Sequence, residues 1–131
     1  MAPTSPGVAA EAALAFAMVS KTARTESLAQ DLAKRFPLHT QIQSLWLPAI
    51  RAHLALDRKD PATGITTLQA TSPVELGQIA FVHNLSCLYL VYVRGERYLA
   101  AGQGAAAAAE FQKIIDYNGI VWNCWTGARR I

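Results

Sequence analysis

Cysteine and histidine are scarce in this 131-residue chain, which limits the redox and metal chemistry expected of it. The two cysteines, Cys87 and Cys124, form no CxxC pair and no spacing typical of a disulfide framework. They predict a reducing compartment, so we expect a cytoplasmic protein. The three histidines lack the spacing of metal ligands, and the sequence predicts no metal and no cofactor.

Long apolar runs and concentrated positive charge are also missing. The apolar segment 9–19 is interrupted by Glu11 and is too short to span a bilayer, and no positive residue precedes it. We therefore expect neither a targeting signal nor a membrane anchor. The net charge is +3, but the basic residues, Arg94 and Arg97 among them, are scattered along the chain. This scatter predicts a solvated helical surface and not a nucleic-acid interface.

Alanine is much commoner than valine or isoleucine, and 52% of the residues are hydrophobic. This composition favours closely packed helices over sheets, and the length fits one compact domain. Apolar periodicity predicts a flexible leader at 1–7, a helical domain at 8–119 and an apolar tail at 120–131, which could be a truncated next repeat. Within the domain we expect helices at about 9–19, 23–36, 40–56, 62–71, 84–101 and 105–117.

Several local patterns predict where these helices begin and end. Thr40, with Gln43 three residues later, is a capping-box pattern for the third helix. Pro48 lies inside that helix, so it should bend the helix or mark its true first turn. Pro61 is placed for a helix start, and Asn118-Gly119 is a favoured pair for a helix end.

One segment challenges an all-helical fold. Residues 87–93 have strand propensity, and the sequence does not determine the conformation of the connector 74–82. We expect a helix at 87–93, because Leu90, Val93 and Arg97 continue a helical pattern.

The last predicted helix pair carries a repeat motif. Gly95, Tyr98, Gly102, Ala107 and Phe111 reproduce the order and spacing of the G-x-x-Y … A-x-x-x-F skeleton of a tetratricopeptide (TPR) repeat. Small residues at Gly95 and Ala107 would let two antiparallel helices approach closely, and Tyr98 and Phe111 would fill the wedge between them.

Two weaker copies precede this motif, at about 13–37 and 52–68, with a spacing nearer ~40 than the ~34 residues of the standard unit. The last copy departs from the family at Val91, where an aromatic residue is usual, and at Gly119, where a proline is usual. The chain resembles TPR proteins, and this resemblance implies an all-α fold of about three antiparallel hairpins stacked as a short TPR-like α-solenoid.

A closer resemblance is to helical repeat regions that follow serine/threonine kinase or transcription-regulator domains in bacterial, notably acidobacterial, proteins. The similar stretches are 32–37, 73–77, 92–101 and 108–114. This resemblance implies a scaffold in signalling. In such proteins the segment similar to 127–128 opens another long helix, so we expect this chain to be a fragment or a shortened array.

In TPR arrays the first helix of each hairpin lines a concave groove. Carried over by position, the resemblance implies a partner-binding groove made of Trp46, His53, Leu56, Asp57, Tyr89, Tyr92, Glu96 and Leu99. Mixed aromatic and polar side chains suit recognition of a peptide or protein. The alternative is that Trp46, Tyr89 and Tyr92 are packing residues. The expected function is a non-catalytic interaction scaffold; the alternatives are a small-ligand-sensing module of a regulator or a small enzyme.

The enzyme alternative depends on few residues. His53 and Asp57 could form an acid–base pair, and His83 and Cys87 a nucleophile–base pair, but such spacings are common in helices. A hydrogen-bonded histidine and a buried cysteine explain them equally well. The segment 102–107 imitates a dinucleotide fingerprint, yet no acidic residue follows at about 20 residues, as that motif requires.

The C-terminal segment is too apolar for a free tail, because it contains Ile120, Val121, Trp122 and Trp125. We expect either that it folds back over the last helix or that two chains associate through this end as a homodimer. Of the two, the homodimer is favoured.

Overall fold

The computed structural model describes residues 5–76 and 88–121, and within these ranges the chain is helical and contains no strand. The helices are α1 (Pro6–Met18), α2 (Thr22–Arg35), α3 (Leu47–Asp57), α4 (Pro61–Gln69), α5 (Tyr89–Ala100), α6 (Gly104–Asp116) and the short α7 (Asn118–Val121). A π-helical turn, Ile42–Trp46, leads directly into α3. The all-α prediction is confirmed for the described residues, including the strand-prone positions 89–93.

Local capping explains where two of the helices begin. The Ser5 side chain accepts a hydrogen bond from the Val8 amide at the start of α1 (3.3 Å), and Pro6 occupies the first turn. Asp60 does the same for α4, where its carboxylate accepts from the Thr63 amide at 3.1 Å. Pro61 opens α4 as predicted, because its missing N–H costs nothing at that position.

The predicted capping box at Thr40 is wrong. The His39 Nδ1 atom accepts from the Ile42 amide (3.4 Å), and the Gln43 side chain donates to the Phe36 carbonyl (2.9 Å) instead of returning to Thr40. The π-helical turn follows, and Pro48 falls in the first turn of α3. Because Gln41, Trp46 and Leu47 all keep right-handed helical dihedrals, the helix is continuous through the π-helical turn and Pro48 lies inside it.

The predicted helix end at Asn118-Gly119 also needs correction. Helix α6 ends at Asp116, and Asn118 begins α7. Among the described glycines, the one with a left-handed conformation is Gly102 (φ 73°), in the turn between α5 and α6. Val121 is fully buried, and the apolar contact it makes draws the chain into another helical turn.

Consecutive helices pack against one another from α1 to α6, and α3 also contacts both α1 and α5. Turns of three residues join α1 to α2, α3 to α4 and α5 to α6, so each of these pairs is antiparallel. One apolar cluster lies among α1, α2 and α3, a second joins α3 to α4 and α5, and a third joins α5 to α6 and α7. Helices α1, α3 and α5 consequently form one row.

The close approach of α5 and α6 occurs at Gly95. A Cβ atom placed there would lie 2.6 Å from Cε1 of Phe111, so the Phe111 ring takes the space that any other side chain at Gly95 would need. Ala107, the other small residue of the motif, is buried on α6, and the atoms nearest to Gly95 belong to the Phe111 ring. Tyr98 lies towards α4, where its hydroxyl accepts from the Gln69 side chain at 3.1 Å.

Candidate functional site

Polar side chains meet where α3 contacts α5. The His53 Nε2 atom lies 2.6 Å from the Tyr89 hydroxyl, and its Nδ1 atom lies 3.1 Å from Nη2 of Arg97. The His53 and Tyr89 rings are stacked, with centroids 6.1 Å apart. Asp57 and Glu96 act electrostatically on the same groups. We call these five residues the α3–α5 polar cluster.

The proton positions in this cluster follow from hydrogen-bond chemistry. A guanidinium can only donate, so Nδ1 of His53 must accept from Arg97. A neutral imidazole that accepts at Nδ1 carries its proton on Nε2, which then donates to Tyr89. Burial and the Arg97 charge lower the pKa of His53 from 6.5 to about 4, although Asp57 opposes them. His53 is therefore neutral at pH 7.

Burial also shifts the pKa values of Tyr89 and Arg97. Burial and the nearby Glu96 carboxylate raise the pKa of the Tyr89 phenol, which stays protonated. Burial lowers the pKa of Arg97, but Glu96, Tyr89 and Asp57 offset this effect in part. The Arg97 side chain passes over Gly64 of α4 and is only 1% exposed. Its Nε and Nη1 atoms have no hydrogen-bond partner within the described part of the chain.

Asp57 connects the end of α3 to the first helix pair. Its carboxylate accepts from the Ser20 hydroxyl at 2.8 Å and from the Thr22 hydroxyl at 3.4 Å. His53 uses both ring nitrogens on Tyr89 and Arg97, so no hydrogen bond joins it to Asp57. This geometry favours a hydrogen-bonded histidine over an acid–base pair.

The pair His83 and Cys87 lies outside the described residues. Their role as a nucleophile–base pair therefore stays a prediction.

Two of the predicted groove residues lie in the core. Trp46 is 3% exposed and packs with Leu47 and Ile50, and Tyr89 is equally buried. Tyr92 is half-buried, and its ring lies 5.9 Å from that of Phe111. The packing alternative therefore describes Trp46 and Tyr89, whose rings are covered in this conformation.

The other predicted groove residues reach the surface. Leu56 is 36% exposed and Leu99 is 55% exposed, while His53, Asp57 and Glu96 are half-buried. The direct contact between His53 and Tyr89 brings together the predicted groove residues of α3 and those of α5. The positions of these residues in the sequence thus did not show that the aromatic residues are buried and that the leucines are exposed.

A buried ionic network that the sequence patterns did not predict surrounds Arg94. Arg94 is 1% exposed, and its guanidinium binds both carboxylate oxygens of Glu75 at 2.8 Å and Oε2 of Glu110 at 2.7 Å. The Leu68 carbonyl also accepts from Arg94, at 3.0 Å. Burial lowers the pKa of Arg94, but the hydrogen bonds to the two carboxylates outweigh it and raise that pKa above its usual value.

The prediction that Arg94 and Arg97 belong to a solvated surface is therefore wrong. Both face inwards because they lie among the apolar positions of α5, three residues apart on one side of the helix. One signal in the sequence could have indicated the burial of Arg97, because this residue continues the helical pattern of the apolar residues Leu90 and Val93.

In the ranges that the structure describes, no three His, Cys, Asp or Glu side chains are grouped so that they could hold a metal ion. No helix among those residues is both long and apolar enough to cross a membrane. Comparison of the chain with protein-family models, with curated proteins and with solved structures found no match.

Proposed function

We propose that this chain is a short TPR-like solenoid that serves as a non-catalytic protein-interaction scaffold in a cytoplasmic bacterial signalling protein. The partner, a peptide or protein, binds along the exposed side of α3 and α5. The observation that carries the proposal is the His53–Tyr89 hydrogen bond of 2.6 Å, because it joins α3 and α5, the two helices that hold the expected groove residues.

The helix packing supports the repeat arrangement. Three antiparallel pairs follow one another, and the first helices of the pairs, α1, α3 and α5, form a row. The Gly95–Phe111 contact gives the third pair the close approach on which the repeat motif depends. These features suit a stack in which each pair buries its apolar side on the next.

The chemistry of the surface suits a peptide with apolar and basic side chains. Leu56 and Leu99 expose apolar area, and the half-buried Asp57 and Glu96 supply carboxylates one and three residues away in the chain. Buried hydrogen bonds hold His53 in place, so the surface around it is preorganised.

Site-specific photo-crosslinking tests this proposal. A photoreactive phenylalanine analogue replaces Leu56 or Leu99 in separate variants, and the matched control carries it at Ile115, an exposed residue of α6. We expect one partner from an extract of the source cells to be cross-linked at both positions and not at Ile115. Identical products from all three positions, or none at Leu56 and Leu99, would contradict the proposal.

A small-ligand-sensing module is the second candidate, and Arg97 favours it. Buried donors without a partner are costly, and a small anion would satisfy Nε and Nη1. Under this alternative, a small dicarboxylate such as succinate should raise the melting temperature of the wild-type chain but not that of Arg97→Met. Equal shifts, or none, would reject it.

A further inference from the structure

A surface groove of about 420 Å³ lies between α2 and α3. It uses the side of α3 that carries Arg51, Leu54 and Arg58, whereas His53 and Asp57 point to another side. Its volume falls in the range of sites that accept a ligand or a few side chains of a partner. The groove is therefore a second surface, separate from the α3–α5 polar cluster.

The charges in this groove are unevenly distributed. An ion pair between Glu26 and Arg58 joins the early part of α2 to the end of α3, so the two helices are antiparallel. Lys34, near the end of α2, and Arg51, nearer the start of α3, consequently share the opposite end. Within the described residues, no carboxylate pairs with Lys34 or Arg51; the neighbouring Asp31 binds Arg35 at 2.8 Å.

The floor between these charged ends is apolar. Ala29 from α2 and Leu54 from α3 are buried there, and the small side chain of Ala29 leaves room above it. An apolar floor with two unpaired cations at one end is complementary to an apolar side chain followed by carboxylates.

We propose that the groove between α2 and α3 docks an acidic segment of a partner protein. The carboxylates of that segment bind Lys34 and Arg51, and an adjacent apolar side chain lies on Ala29 and Leu54. The open shape of the groove suits a chain that continues past it on both sides. Because the groove lies on a different side of α3, its failure would leave the proposed function intact.

A nuclear magnetic resonance titration tests the proposal. The probe is a short peptide of alternating leucine and glutamate, and the matched peptide has glutamine in place of glutamate. We expect the glutamate peptide to shift the backbone resonances of residues such as Ala29, Lys34 and Arg51 in a saturable way. Because two charge contacts are involved, reversing both in Lys34→Glu/Arg51→Glu should weaken binding by about tenfold or more.

A matched charge control is Lys21→Glu, at an exposed position before α2 and outside the groove. It should retain binding within about twofold, because only distant and screened charge is changed. Equal binding of the two peptides, or unchanged binding by the double variant, would overturn the proposal. Displacement of the peptide by inorganic phosphate that saturates the same residues would also overturn it, in favour of a small-anion site.

Discussion

At the scale of single residues, His53 links two helices and makes stability depend on pH. Its pKa of about 4 in the folded chain lies below the ordinary value of 6.5, so the unfolded chain binds more protons between these values. The free energy of unfolding should therefore decrease as pH falls from about 6.5 to about 4, by at most about 3 kcal/mol. Urea denaturation at several pH values measures this loss.

The variant His53→Gln keeps a donor near Tyr89 but cannot titrate. It should be less sensitive to pH than the wild-type chain in the same window. If His53→Gln lost stability as steeply as the wild type, another group would be responsible.

Gly95 is a position where packing requires a glycine. Alanine normally stabilises a helix more than glycine does, but a Cβ at this position would lie 2.6 Å from the Phe111 ring. We expect Gly95→Ala to reduce the free energy of unfolding by about 1–3 kcal/mol and Gly95→Leu to reduce it further. The matched control is Gly104→Ala, since nothing lies within 4 Å of a Cβ there. Equal effects at the two glycines in urea denaturation would show that α5 and α6 do not meet at Gly95.

At the scale of elements, Arg94 connects three parts of the chain through one buried ionic network. It binds Glu75 in the turns that follow α4 and Glu110 in α6, while Lys113 also pairs with Glu110 at 3.1 Å. Burial raises the pKa of Glu110, but Arg94 and Lys113 outweigh it and lower that pKa. The network thus fixes α4, α5 and α6 relative to one another.

Removing the central cation should be costly. Arg94→Ala leaves Glu75 buried without its cationic partner and Glu110 with Lys113 alone, and we expect the free energy of unfolding to fall by about 3–5 kcal/mol. The control Glu26→Gln breaks the exposed pair with Arg58 and should cost less than about 1 kcal/mol. A loss at Arg94 no larger than the control would mean that solvent reaches the network.

At the scale of the whole molecule, we expect the C-terminal end to set the oligomeric state. Val121 is buried with Leu88, Val91 and Ile114, so the chain folds back at least this far. Trp122 and Trp125 lie outside the described residues, and the homodimer through this end stays a prediction.

Light scattering distinguishes the possibilities. We expect the intact chain to have twice the monomer mass and the variant with Trp122→Ser and Trp125→Ser to be monomeric, because the expected contact relies on the apolar area of the two indole rings. A wild-type monomer whose melting temperature falls in the variant would indicate fold-back alone. A soluble monomer unaffected by both changes would reject both arrangements.

Local signals in the sequence were sufficient for the helical fold. The alanine content and the helical spacing of apolar residues predicted the helices, because both signals depend on residues that are close in sequence. Pro61 marked the start of α4, since a proline at a first turn loses no hydrogen bond. The spacing of Gly95 and Phe111 likewise anticipated that α5 and α6 would pack closely.

The tertiary structure decided which polar and aromatic side chains are covered. Arg94 is buried because Glu75 and Glu110, 19 residues before it and 16 after it, come together around it. Trp46, which the TPR resemblance placed in the groove, is covered because α1, α2 and α3 pack around it. Contacts between residues far apart in sequence leave no periodic signal, so only the packed chain shows which charges meet and which surfaces stay open.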